Sequence, residues 1–292
     1  MLPMTGARIW KCGTYELELD VRTLLMGIVN VTPDSFSDGG MFGDDPGAAI
    51  RHGVGLEALG ADILDVGGES TRPGADPVPE AVELERVIPV VEGLVKAVDV
   101  PISVDTRKPA VARAALASGA SIVNDISAAA APGMFDLVSE TGAGLVMMHM
   151  QGQPKTMQAA PVYADVIAEV RGFLAERIGA AVGAGVSRNR ICVDPGIGFG
   201  KSMEHNLALL RGVSGLRELR VPVMVGVSRK RFIGELSGAE EPADRVEGTA
   251  GAVAWCATQG IDVVRVHDVL EMKRVLRVVD ALSRVGPRGH DR

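Results

Sequence analysis

Short apolar runs recur along the chain, and most carry a polar residue at or near their end. The first, residues 24–31, reads Leu-Leu-Met-Gly-Ile-Val-Asn-Val and breaks at Thr32-Pro33-Asp34 into a polar segment that closes on Gly39-Gly40. A buried strand bounded by turn signals has this pattern. Asn30 near the end and the length of the following segment are unusual for a simple strand-to-helix connection. Further strands are predicted at residues 61–67, 101–106, 121–126, 144–150, 190–195, 221–228 and 262–269. Their near-continuous apolar character implies burial on both faces, as in a parallel sheet.

Helical stretches separate these runs. Residues 46–60 open on Pro46 and close on Gly60, as helix ends favour. Residues 79–97 place Val82, Leu84, Val87, Val90, Val91 and Leu94 at helical spacing. Further helices are predicted at 109–118, 134–141, 163–184, 203–212, 244–259 and 270–285. Residues 7–23 alternate loosely around Gly13 and predict a β-hairpin, which would plug the bottom of a barrel. The polar tail after 285 is expected to fray.

Eight strands, each followed by a helix, predict an α/β fold: one (β/α)8 TIM barrel with an N-terminal hairpin closing the bottom. The length of 292 residues suits this, since such barrels typically take about 250. An open doubly wound sheet is the rival. The absence of a Gly-x-Gly-x-x-Gly turn after the first strand argues against it. No proline- or serine-rich linker divides the chain, so one domain is expected.

Composition removes several function classes. The net charge is -7 and aromatic residues make up 3%. No basic block or aromatic-basic stripe is present, so nucleic acid is not an expected partner. Cys12, Cys192 and Cys256 show no metal-type spacing and read as buried thiols. No signal-like or membrane-spanning run is found, so a cytoplasmic protein without membrane contact is expected.

The polar strand ends carry the chemistry. They are Asn30, Asp65, Asp105, Asn124, His149, Asp194, Lys230, Arg265 and His267. Any one could be a hydrogen-bonded core polar group. Together, at the C-terminal edge of one barrel, they should converge on a pocket. Asp105, Asp194 and Asn124 suit a flat heterocycle edge with several N–H donors. Arg265, His267, Arg72 and Asn30 suit an anion, and the Asn30 carbonyl suits a hard cation. No nucleophile–base pair is evident. His52 and His205 read as surface residues on helices, and Glu69 and Asp38 as capping or surface residues. Lys201 follows a glycine-rich turn without Walker spacing. Met147 and Met148 could both be core, and only Met148 fits the pocket.

The segments GIVNVTPDSFSDGG, DVGGESTRPGA, SVDTRKP, NDIS, VMMHMQG, DPGIGFGK, GVSRKRFIG and RVHDV resemble, in order, those of the dihydropteroate synthase family. This is the folate-pathway family that sulfonamides inhibit. The resemblance covers the chain beyond the hairpin. It implies a TIM barrel, usually dimeric. The implied reaction joins 6-hydroxymethyl-7,8-dihydropterin pyrophosphate to 4-aminobenzoate with Mg²⁺, along an SN1-like path. Carried over by motif, Asp105, Asn124, Met148, Asp194, Lys230 and Arg265 would hold the pterin. Asn30, Arg72, Arg265 and His267 would meet the pyrophosphate, with Mg²⁺ at Asn30. Phe36, Thr71, Pro73, Phe199, Ser228 and the Arg231 backbone would seat the aminobenzoate, aided by the helix expected to start there. Lys230, Arg265 and Asp34 would act in catalysis. The first two strand loops would close as lids. Arg231 departs from the Ser of some members. The alternatives are a catalytically inactive pterin-binding paralogue and a methyltetrahydrofolate-dependent methyltransferase. The paralogue should have lost one of the matching residues, and the methyltransferase should lack the pyrophosphate cations.

Overall fold

A computed structural model describes residues 8–32 and 45–283. The chain opens with an antiparallel hairpin, β1 (Ile9–Cys12) and β2 (Tyr15–Glu18), paired Trp10 to Leu17 and turning at Gly13. Gly13 has φ 60, a left-handed conformation that costs glycine little.

Eight parallel strands then alternate with helices: β3 (Leu24–Asn30), β4 (Ile63–Gly67), β5 (Ile102–Asp105), β6 (Ile122–Asp125), β7 (Gly144–Met148), β8 (Ile191–Asp194), β9 (Met224–Gly226) and β10 (Val263–Val266). They pair in the order β8-β7-β6-β5-β4-β3-β10-β9. A bridge between Val193 and Val223 joins the two ends and closes the barrel. The expected fold is therefore observed. Outside lie α1 (Pro46–Leu59), α2 (Glu80–Val95), α3 (Pro109–Ala117), α4 (Met134–Thr141), α5 (Val166–Gly183), α6 (Met203–Arg211), α7 (Arg231–Ser237), α8 (Val246–Thr258) and α9 (Val269–Ser283).

Side chains on a strand alternate between faces, and this period of two builds the site. Leu25, Val29, Leu64, Val66, Val104, Val123, Leu145, Met147, Val193, Val225 and Val264 face outward into a core shared with the helices. The inward residues form a separate cluster at the bottom: Leu24, Met26, Ile63, Ile122, Val146, Cys192, Met224 and Val263, joined by Trp10, Cys12 and Leu19 of the hairpin segment. Trp10 is fully buried, and its indole N–H donates to the Arg190 carbonyl at 2.9 Å. The hairpin thus seals the bottom of the barrel, as its pattern predicts.

Higher up the same inward rows the residues become polar. Asn30 stands two positions above Ile28, Asp65 above Ile63, Asn124 above Ile122, Asp194 above Cys192 and Arg265 above Val263. The lower layer is apolar, and the upper layer lines the cavity above it, save Asp65, which is fully buried.

Two connections carry 3-10 turns that the sequence pattern does not predict. The stretch after β9 contains a separate helix, α7, and a 3-10 turn at Pro242–Arg245 before α8 begins. α7 begins at Arg231, where the resemblance implies a helix start, two residues after Arg229 in a left-handed conformation (φ 57). A 3-10 segment, Val213–Leu219, also follows α6, where the sequence carries no helical period.

Candidate active site

The top of the barrel opens into a cavity of about 700 Å³. Its floor is a charged network. Arg265 on β10 donates from Nε to Asp65 Oδ2 on β4 at 2.6 Å, and from Nη2 to Asp105 Oδ2 on β5 at 2.9 Å. Asn124 Nδ2 on β6 donates to the same Asp65 oxygen at 3.0 Å. Asp105 and Asn124 are register partners on neighbouring strands, so their side chains enter the cavity together. Asp194 sits opposite on β8, beside Met148 in register on β7, and accepts from the Gly196 N–H at 2.7 Å.

Burial sets the electrostatics. It raises Asp194, against the pull of Lys230 and the Gly196 N–H. It also raises Asp105, against the Arg265 guanidinium. Burial works against the charged form of Arg265, but Asp65 and Asp105 outweigh it and raise its pKa. Lys230 is pushed down to about 8 by burial, opposed by Asp194. The floor therefore carries buried carboxyls that a donor-rich ligand edge can satisfy by hydrogen bonds.

One wall is formed by loop 196–201 and Lys230. Lys230 Nζ donates to the Ile197 carbonyl and lies 4.6 Å from the centre of the Phe199 ring. Next to it, Ser228 Oγ accepts from the His267 N–H at 3.1 Å and pairs with His267 Nδ1 at 3.0 Å. Arg229 and Asp268 form a two-point ion pair behind them, at 3.0 and 2.6 Å. The opposite rim is the loop after β4, with Thr71, Arg72 and Pro73. It is anchored from below, where Glu69 pairs with Arg107 and Lys108, and Lys108 with the buried Glu83. Gly74 N–H bonds the Pro154 carbonyl across the rim at 3.1 Å.

The cavity brings together Asn30, Thr71, Arg72, Pro73, Asp105, Asn124, Met148, Asp194, Phe199, Ser228, Lys230, Arg231, Arg265 and His267. Met147 faces the outer core instead. Asp34, Phe36 and Asp38 lie outside the described residues, as does most of the first loop. The Arg231 side chain turns to solvent and pairs with Glu235, so its departure from Ser leaves the backbone N–H in place. The helix it begins has seven residues, a short source of dipole.

Several readings are corrected. His149 does not face the cavity. It shares the parity of Met147, and its ring packs edge-on against Phe173 of α5 at 5.0 Å. Neither His52 nor His205 is a surface residue. Both are partly buried: His52 Nε2 lies 3.3 Å from the Ile28 carbonyl, and His205 completes a capping box with Ser202. Glu69 is not a surface residue: its side chain lies within an ion network, and it caps its own loop by accepting from the Val78 N–H at 3.4 Å, so of its two readings the capping one holds. Asp65 is the residue that motif reasoning left without a role, although its inward parity with Ile63 points to the barrel axis.

Residues 26–267 match the family described as pterin binding enzyme. Dihydropteroate synthase of Escherichia coli (strain K12) is 46% identical over 257 residues, spanning 88% of this chain and 90% of that protein. The chain belongs to the dihydropteroate synthase family of transferases. The family member from Mycobacterium leprae is 46% identical over 271 residues, spanning 90% of this chain and 95% of that one. Among solved family structures, that of Xanthomonas albilineans with 4-aminobenzoic acid superposes with a TM-score of 0.89 at 49% identity, covering 96% of this chain and 100% of the other. The same protein in complex with 7,8-dihydropteroate gives 0.85 at 47%, covering 95% and 100%. A Yersinia pestis family member with a sulfonamide drug complex gives 0.90 at 42%, covering 94% and 98%.

Proposed function

We propose that this cavity joins 6-hydroxymethyl-7,8-dihydropterin pyrophosphate to 4-aminobenzoate, giving 7,8-dihydropteroate and pyrophosphate. The observation that carries this reading is the floor: acceptors from Asp105, Asn124 and Asp194 on three strands, around one guanidinium. A pterin edge presents several N–H donors in a plane and fits such a set. Its Xanthomonas albilineans relative is known in complex with 7,8-dihydropteroate.

In this reading Asp105, Asn124 and Asp194 hold the pterin edge, with Met148 packed beside it and Lys230 donating from the wall. The C–O bond to pyrophosphate breaks with its electron pair on the departing oxygen. Arg72, Arg265, His267 and Asn30 hold that anion, and fixed charges aimed at developing charge lower the barrier. The electron-rich dihydropterin stabilises the carbon cation left behind. The amine of 4-aminobenzoate then forms the C–N bond and gives up a proton. Thr71, Pro73, Phe199, Ser228 and the Arg231 N–H seat the aminobenzoate. An SN1-like path asks little of a general base. Roles for Asp34 at the amine or metal, and for Phe36 over the ring, belong to the same proposal.

Mg²⁺ is the proposed cofactor. Among the described residues no group of three or more His, Cys, Asp or Glu could cage a metal. A single amide oxygen from Asn30 fits an ion held mainly by substrate phosphates, which is how Mg²⁺ commonly binds. When bound it stabilises the charge of the departing pyrophosphate. The protein is further proposed to work as a cytoplasmic homodimer. No described helix is long and apolar enough to cross a membrane.

The test mixes the protein with the pterin pyrophosphate, Mg²⁺ and 4-aminobenzoate and measures dihydropteroate. Product that disappears on chelation supports the reading. No product, with the pterin still bound, overturns it in favour of an inactive paralogue.

A further inference from the structure

Between the cavity and α5 lies a buried amine that the chemistry above does not use. Lys201 is 3% exposed. Its Nζ is 2.9 Å from the Phe199 carbonyl oxygen, 3.3 Å from the His149 carbonyl oxygen and 3.1 Å from His149 Nδ1. An ammonium has three N–H donors, and here it meets three acceptors drawn from two loops. None is a carboxylate. Burial pushes Lys201 down to about 7, opposed by Asp194 and reinforced by Lys230. Burial and the neighbouring Lys201 push His149 down to about 3, so its ring stays neutral and keeps a lone pair for the amine. Burying a cationic group is costly. What it holds in place is therefore informative.

It holds loop 196–201 against the end of β7. The two backbones touch: a Cβ on Gly196 would fall 1.9 Å from the His149 carbonyl oxygen, and one on Gly200 would fall 2.5 Å from that of Gln151. The peptides flanking Phe199 are also tied. Gly198 N–H donates to Asn206 Oδ1 at 2.7 Å, its carbonyl accepts from Gln158 at 2.6 Å, and the Gly200 carbonyl accepts from Tyr163 Oη at 2.8 Å. The ring so fixed is the one 4.6 Å from Lys230 Nζ.

We infer that Lys201 is a positioning residue for the arylamine substrate: it ties the Phe199 carbonyl to the end of β7 and so fixes the Phe199 ring over Lys230. The inference rests on the condensation reading. Of the pterin ligands, Asp105, Asn124 and Arg265 stand on other strands, while Asp194 and Lys230 bond the near end of the same loop, at the Gly196 N–H and the Ile197 carbonyl, ahead of the tied Phe199–Lys201 peptides. The effect on the amine subsite should therefore exceed that on the pterin.

The test is steady-state kinetics of Lys201→Met, Phe199→Ala and the double variant in the full chain with Mg²⁺. Lys201→Met is expected to raise KM for 4-aminobenzoate by about tenfold, the order expected for one lost tie. KM for the pterin pyrophosphate should stay within about twofold. In the Phe199→Ala background the effect of Lys201→Met should vanish, because the two act through one ring. An undiminished effect in that background, or an equal rise in both KM values, overturns the inference. Should Lys201→Met not fold, Gln158→Ala loosens the same loop from its exposed side and must raise KM for 4-aminobenzoate selectively; no selective rise overturns the inference. A wild-type protein that makes no dihydropteroate overturns the condensation reading itself, a separate outcome.

Discussion

Arg265 and Asp65 meet across the barrel interior, Nε to Oδ2 at 2.6 Å, although 200 positions separate them in the chain. β3 lies between their strands in the sheet, so the contact spans the floor rather than the wall. It aims the guanidinium so that Nη2 reaches Asp105. The contact thus fixes a proposed ligand of both pterin and pyrophosphate without Asp65 lining the cavity.

Asp65→Asn removes that counter-charge and leaves Arg265 with Asp105 as its remaining bonded carboxylate. Breaking a buried pair from one side costs about 3 kcal/mol of stability. Urea unfolding should register that loss, and kcat/KM for both substrates should fall together. A variant with wild-type kcat/KM would show that Arg265 is positioned by other means.

Lys108 neutralises Glu83, which is 1% exposed, and reaches Glu69 beneath the Thr71–Pro73 rim. Lys108→Met leaves Glu83 buried without its cation and is expected to cost about 3 to 5 kcal/mol. Adding Glu83→Gln should return most of it, since the remaining group is uncharged. Calorimetric melting of the two variants checks this. Equal melting temperatures for the single and double variants would contradict the role given to Lys108.

Lys201 makes stability depend on pH in a stated direction. Its folded pKa, about 7, lies below its ordinary value of 10.5. Between those values the unfolded chain binds a proton that the folded chain does not, so stability rises with pH. Below about pH 7 the full penalty is present, and above 10.5 it is gone. The stability of wild type relative to Lys201→Met should therefore rise from pH 7 to pH 10. Urea unfolding at the two ends measures it, and a constant difference would contradict a buried amine with a lowered pKa.

The barrel was legible because each strand is an apolar run closed by turn residues, and because helix starts such as Pro46 and Pro109 punctuate the connections. The site was legible at the strand ends, where Asp105, Asn124, Asp194 and Arg265 interrupt apolar sequence. Parity within a strand was harder to see. His149 looks like another polar end, yet it lies one residue beyond Met148 and so turns away from the axis. Asp65 shows the reverse, an inward residue that no ligand role singled out. The start of the helix at Arg231–Ser237 was implied by its motif, whereas the left-handed conformation of Arg229 just before it is one that no propensity announces for arginine. The ion network of Glu69, Arg107, Lys108 and Glu83 joins distant segments by tertiary contact, and no local pattern marks it.

The central claim is that the barrel floor reads the pterin edge through Asp194 and its neighbours. Calorimetric titration of 6-hydroxymethylpterin into wild type and Asp194→Ala tests it most directly. Losing a charge-assisted acceptor should weaken binding by about 1.5 to 3 kcal/mol, at least tenfold. Affinity unchanged within error would contradict the account.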